Sequence, residues 1–171
     1  MEIQKTDYTQ VDKKVAKIIS IAKTYIKWPS FDVLEKEINK AYIYARDAHE
    51  GQFRHSWDPY IVHPVESCII LMDLNPDLHT IQACLLHDVI EDTPKDYWDI
   101  EEDFWKEVAY LCGWMEKLSK VKYKWEERTI WSLRKMFVAM SEDIRVIFIK
   151  LSDRLHNMRT LKFHPKKEKQ Q

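Results

Sequence analysis

An all-α fold is predicted for this chain by three observations. Apolar residues recur at helical spacing in segment after segment, and no stretch alternates apolar and polar residues over the length of a strand. Only two glycines and six prolines serve 171 residues, too few for a sheet with many tight turns. With 45% apolar and 32% charged residues the composition is that of a soluble globular protein, and the length suits one domain with a real core. No internal repeat is visible.

The elements follow in order. Val11, Val15, Ile18, Ile19, Ala22 and Ile26 make a first helical stripe, closed by "WPS" at residues 28–30. Asp32 with Glu35 has capping-box spacing and opens a second helix through Leu34, Ile38, Ala41, Ala45 and Ala48. "GQFRHSWDPYIVHP" breaks the periodicity and holds two prolines, so residues 51–62 are expected to form an irregular loop. Pro64 suits the first turn of a third helix, with Val65, Cys68, Ile69 and Met72 inward. "NPD" at 75–77 separates it from a fourth, in which Ile81, Cys84, Leu85 and Val89 pack.

After the breaker "EDTPKD", Asp99 and Glu102 again have capping-box spacing, ahead of Phe104, Val108 and Leu111. Ile130, Leu133, Phe137 and Met140 predict another helix, and Ile144 to Leu161 the last. In that last helix Leu151, Leu155 and Met158 recur as one apolar face, while Asp153, Asn157 and Thr160 share an equally helical spacing on another side. Either those polar groups stand in water, or the helix turns an aspartate and an amide toward something they hold. Residues 1–30 are thus expected to be an N-terminal helix, 31–164 the working domain and 165–171 a solvated charged tail.

Several function classes are disfavoured. A net charge of −1 carries no basic excess for a nucleic-acid partner. The N-terminus is unlike a signal peptide, and no apolar run approaches the ~20 residues that span a bilayer, so a cytoplasmic protein with no membrane partner is expected. Cys68, Cys84 and Cys112 are odd in number and contain no C-x-x-C, which predicts reduced, buried thiols. Trp98, Trp105, Trp114, Trp125 and Trp131 crowd the second half, and some are expected to cover a surface that a missing C-terminal domain or a second copy would meet.

Four side chains do not suit a core: His63, His87, Asp88 and Asp153. Singly, each is explained by a loop, a helix end or a solvated ion pair. Together they meet the needs of a divalent cation that must also bind phosphate oxygens, because imidazole and carboxylate ligands from several helices leave positions open. With no thiolate among them, a borderline-hard ion such as Mn2+ is favoured over a closed structural zinc site. Adjacent His87 and Asp88 lie roughly 100° apart around a helix, so both reach one ion only at its end. Glu91 and Asp92 then stand just outside, where a carboxylate can orient or deprotonate the attacking water. Asn157, one turn after Asp153, can hold a substrate oxygen.

"GQFRHSWDPYIVHP", "LLHDVIEDT" and "IKLSDRLHNMRTL" together resemble the N-terminal hydrolase domain of RelA/SpoT-type alarmone enzymes, a branch of the HD phosphohydrolase superfamily. The resemblance runs from about Ala41 to Leu161, with the three motifs in the family's order. It implies an HD-type helical bundle that removes the 3′-pyrophosphate of guanosine tetra- or pentaphosphate with Mn2+, in stringent-response control. The metal ligands it implies are His63, His87, Asp88 and Asp153, and the catalytic acidic pair Glu91 and Asp92. Arg54 matches an arginine stacking on the guanine, which suits a planar guanidinium. His55, Ser56, Asn157 and Thr160 match positions close to the nucleotide. The alternatives are an HD phosphohydrolase for another nucleotide and a non-catalytic alarmone-binding module.

This chain departs from the family pattern in places. His55 stands where a lysine is usual, and Ser56-Trp57-Asp58-Pro59 replaces serine-glycine-glutamate-proline. Tryptophan resists backbone angles that glycine accepts, so a re-shaped loop around Arg54 is expected. Met115-Glu116-Lys117-Leu118 stands for valine-threonine-lysine-leucine, with the preceding glycine displaced to Gly113. The chain stops about ten residues after the last motif, which predicts a truncated hydrolase domain, and no synthetase motif is present.

Overall fold

The computed structural model describes residues 6–119, 138 and 142–161. Eight helices run through them: α1 (Thr9–Tyr25), α2 (Phe31–Ala48), α3 (Val62–Leu71), α4 (Leu78–Leu86), α5 (Val89–Asp92), α6 (Tyr97–Asp103), α7 (Lys106–Ser119) and α8 (Ile144–Thr160). A 3-10 turn, Met72–Leu74, extends α3. The helix expected around Ile130, Leu133, Phe137 and Met140 lies outside the described residues, as do Trp125, Trp131 and the charged tail.

The core sits around α3 and α4. In α4, Leu78 and every residue from Thr80 to Leu86 is buried, which marks a central helix. It packs between α2 and α7, while α3 packs against α1, α4 and α8. α1 buries a single stripe, Val11, Val15, Ile18, Ile19 and Ala22, as its periodicity predicts. Cys68, Cys84 and Cys112 are free and buried. No helix among the described residues is long and apolar enough to cross a membrane.

Both expected capping boxes are misplaced. α2 begins at Phe31, with Ser30 at its N-cap and no side-chain cap, so Asp32 lies inside the first turn, where its charge favours the helix dipole. The box before α6 is built one turn earlier than expected, from Asp96 and Asp99. The helix it opens stops at extended Phe104, and Val108 and Leu111 belong to the separate α7. Spacing alone offered several acidic pairs, and the chain's exit from the preceding turn selected one.

The larger correction concerns α8. Leu151, Leu155 and Met158 are 52%, 39% and 66% exposed, whereas Ser152, Asp153 and His156 are buried with Val146, Ile147 and Ile149. The expected packing face is the outer one, and Asp153 lies on the face that docks against α3. Trp98 and Trp105 are also exposed, while Trp114 packs partly against the core.

The loop between α2 and α3 is more ordered than expected. Phe53 and Pro59 form an isolated antiparallel bridge, Arg54 N–H donates to Asp58 O, and Trp57 N–H donates to Arg54 O. Trp57 has φ 66°, in the left-handed region. This is the three-residue hairpin pattern whose last position favours glycine. The tryptophan therefore sits at a left-handed position that glycine would accept without strain, with its ring in solvent. Left-handed backbone costs a residue with a Cβ about 1–2 kcal/mol, more than the ~0.5–1 kcal/mol entropic cost of glycine. Trp57→Gly should accordingly raise stability by up to about 1 kcal/mol, read as a higher midpoint in urea. A loss of stability would show that the ring makes a contact worth more than the strain.

Candidate metal centre

Three segments bring the expected polar residues together. His63 is the second residue of α3, held there by its N–H to Tyr60 O at 2.9 Å. His87 is the C-cap of α4 and Asp88 the N-cap of α5, so the helix break turns both side chains to one side, as their adjacency requires. Asp153 comes from the middle of α8. All four are buried.

A nitrogen of His63, a nitrogen of His87 and an oxygen of Asp88 lie within 4.8 Å of one another. His63 Nε2 is 3.4 Å from Asp88 Oδ2 and 3.3 Å from Asp153 Oδ1. His87 Nδ1 sits 2.8 Å from the Cys84 carbonyl, to which it donates, so Nε2 is the nitrogen that faces the cluster and the one a cation would take in place of a proton. That Nε2 is buried and has no hydrogen-bond partner, although Asp88 Oδ1 is 3.1 Å away. A buried, orphaned imidazole nitrogen converging with a second imidazole and two carboxylates is a donor set that fits a divalent cation.

Burial alone would raise the Asp88 carboxyl, but His87 and His63 beside it hold it well below the usual range. Asp153 behaves alike: its burial is outweighed by His63, His87 and Lys150, whose Nζ is 3.0 Å from Oδ2. In the metal-free protein His87 is pushed down by burial and more strongly up by Asp88 and Asp153, to about 9.

A cavity of about 200 Å³ opens over the cluster, lined among others by Arg54, Glu91, Asp92, Lys150 and Asn157. Glu91 stands at its mouth in contact with solvent. Its carboxyl is nonetheless raised, chiefly because the surrounding helices displace water. The Ser119 side chain and the Lys150 ammonium beside it oppose that rise, and Asp92 accepts from the Tyr60 hydroxyl at 2.6 Å. Asn157 Nδ2 donates to Asp153 Oδ1 at 2.6 Å, and its Oδ1 accepts from Arg54 Nη2 at 2.8 Å. His55, Ser56 and Thr160 do not line this cavity. They line a second one, of about 290 Å³, which shares Arg54 and His63 with the first.

Sequence reasoning missed several residues. His156 is buried on α8 with its Nδ1 2.7 Å from His63 Nδ1. Burial and the neighbouring His63 and Arg54 lower it to about 4, so it is neutral and able to accept from His63, leaving Nε2 of His63 for the cluster. Its place one turn from Asp153 was the available signal. Tyr60 spans Asp88 (3.0 Å) and Asp92, and stacks on His49 with ring centroids 4.4 Å apart. Lys150 pairs with Asp153 one turn along α8 and also donates to Ser119 Oγ, a contact only the fold could supply.

The described residues form a helical domain in which buried histidines and an adjacent His-Asp pair at a helix break make a candidate divalent-cation site. Its family is shown by comparison: a model described as HD domain matches residues 41–171, and the chain belongs to that family. It is 54% identical over 127 residues to the bifunctional (p)ppGpp synthase/hydrolase SpoT of Escherichia coli K12, covering 74% of this chain and 18% of that protein. It is 46% identical over 142 residues to a guanosine-3′,5′-bis(diphosphate) 3′-pyrophosphohydrolase of Vibrio cholerae, covering 82% of this chain and 20% of that one. The chain thus spans about a fifth of the length of these curated relatives. A solved structure described as a metazoan ortholog of SpoT that hydrolyzes ppGpp and plays a role in starvation responses superposes with TM-score 0.60 at 28% identity. That match covers 80% of this chain and 74% of the other. The likeness to RelA/SpoT-type enzymes carried by the three motifs is borne out.

Proposed function

We propose that this chain hydrolyses guanosine tetra- and pentaphosphate at the 3′ position with Mn2+, giving GDP or GTP and pyrophosphate, in stringent-response control. The observation that carries the reading is the buried convergence of His63, His87 and Asp88, with Asp153 beside them, under a cavity whose other walls hold Arg54 and Lys150. The names of the relatives support the substrate and reaction.

His63, His87, Asp88 and Asp153 would hold the cation, which supplies charge neutralisation and a more acidic water. Glu91 takes a proton from the attacking water, a role that its carboxyl, raised by partial burial beside the cavity, suits. Asp92, tied to Tyr60, positions that water. The bond between the ribose 3′ oxygen and phosphorus breaks as the water oxygen bonds to phosphorus; solvent gives a proton to the ribose oxygen, and Glu91 returns to solvent the one it took, so that one water is consumed. Lys150 offsets negative charge on the phosphates, and Arg54, held in place by Asn157, offers its planar guanidinium to the guanine.

The test is pyrophosphate release from guanosine tetraphosphate with added Mn2+, compared between this chain and Asp153→Ala. Turnover that requires both the metal and Asp153 supports the reading. Tight binding of the nucleotide without turnover would replace it with a regulatory module, and turnover of other nucleotides at equal rate would leave a broader phosphohydrolase.

A further inference from the structure

The second cavity lies across Arg54 from the metal centre, between α1, α3 and α8. At about 290 Å³ it is at the small end for a ligand pocket and suits one part of a nucleotide rather than the whole. Arg54 and His63 line both cavities, so a ligand with its 3′-phosphates over the metal centre can reach into this one.

Its lining differs in kind from a phosphate site. Lys14 of α1 and Glu66 of α3 lie side by side in it, with Lys14 Nζ 2.5 Å from Glu66 Oε1. Asp58 also lines the cavity. Arg54 and His55 line it too, so what sets it apart from a plain phosphate site is the Lys14 ammonium next to the Glu66 carboxylate, a donor beside an acceptor. Guanine presents the matching edge: the O6 acceptor, the N1–H donor and, unlike hypoxanthine, a 2-amino donor. Adenine has a donor at position 6 and lacks the 2-amino group, so it mismatches at both ends.

We propose that Glu66 and Lys14 determine base specificity, Glu66 accepting from N1–H and the 2-amino group of guanine and Lys14 donating to O6. This rests on the reading of the chain as a guanosine polyphosphate hydrolase. Neither residue belongs to the three motifs, and Lys14 comes from the helix before the matched family region, residues 41–171. The guanidinium of Arg54, fixed by Asn157 at 2.8 Å, borders the space the ring would fill.

The experiment compares guanosine 3′,5′-bis(diphosphate) with its inosine counterpart, which lacks only the 2-amino group. Both kcat/KM with Mn2+ and Kd by calorimetry are measured on the full chain. The wild type should prefer the guanosine compound by about ten- to a hundredfold. Glu66→Ala should collapse that ratio toward one through the guanosine KM, with Glu66→Gln between the two. Lys14→Ala should weaken both compounds alike, because both carry O6. A ratio that survives Glu66→Ala overturns the proposal, as does an equal loss on both compounds. Should the wild type bind but turn over neither, the hydrolase reading fails while the Kd ratios still decide this inference. Binding of neither compound removes both.

Discussion

Glu91→Gln should lower pyrophosphate release by about 10²- to 10⁴-fold, the range a lost general base commonly costs, while Mn2+ binding is unchanged. Asp92→Asn should cost less. The two neighbours differ in surroundings: Glu91 is raised by the helices that displace water around it, and Asp92 receives the Tyr60 hydroxyl at 2.6 Å. Tyr60 holds Asp92 in a positioning role, and an asparagine there keeps an oxygen to accept from that hydroxyl. Steady-state kinetics of both variants, with calorimetric metal titrations beside them, check the assignment. A greater loss in Asp92→Asn, at equal metal affinity, would exchange the two roles.

Mn2+ at a hundred times its Kd should stabilise the domain by about 2.7 kcal/mol, or roughly 5–10 °C in a chain of this size. Asp153→Ala should lose most of that shift, because it removes one carboxylate from the cluster. The gain should also depend on pH. His87 in the metal-free protein is pushed down by burial and further up by Asp88 and Asp153, from 6.5 to about 9. A raised histidine contributes stability that is complete below 6.5 and lost as pH climbs through about 9. The cation competes with that same proton, so its affinity rises over the window in which the metal-free protein weakens. Scanning calorimetry from pH 6 to 9 should show the metal-induced shift widening with pH. A shift independent of pH would mean that His87 does not exchange its proton for the cation.

Much of the site was legible because its residues sit in contiguous motifs. His87 and Asp88 are adjacent, and adjacency at the end of an apolar run fixes both the helix break and the shared direction of the two side chains. Asp153 and Asn157 are one turn apart, and they do share a hydrogen bond. Tyr60, Lys150 and His156 were not legible as partners. Each makes its decisive contact with a residue distant in sequence or on another element, as Lys150 does with Ser119 across α8 and α7.

The amino-acid sequence determined the helical class, most element positions among the described residues and the identity of the polar cluster, because 3.6-residue periodicity and contiguous motifs are local properties. Only the tertiary structure decided which way α8 faces. A helix with an apolar stripe and a polar stripe can dock either one. Here Val146, Ile147 and Ile149 dock together with Asp153, whose carboxylate meets His63 on α3 and Lys150 on α8, and Leu151, Leu155 and Met158 face out. Periodicity shows that two faces exist. The apolar surface and the polar partners on α3 and α4 chose between them.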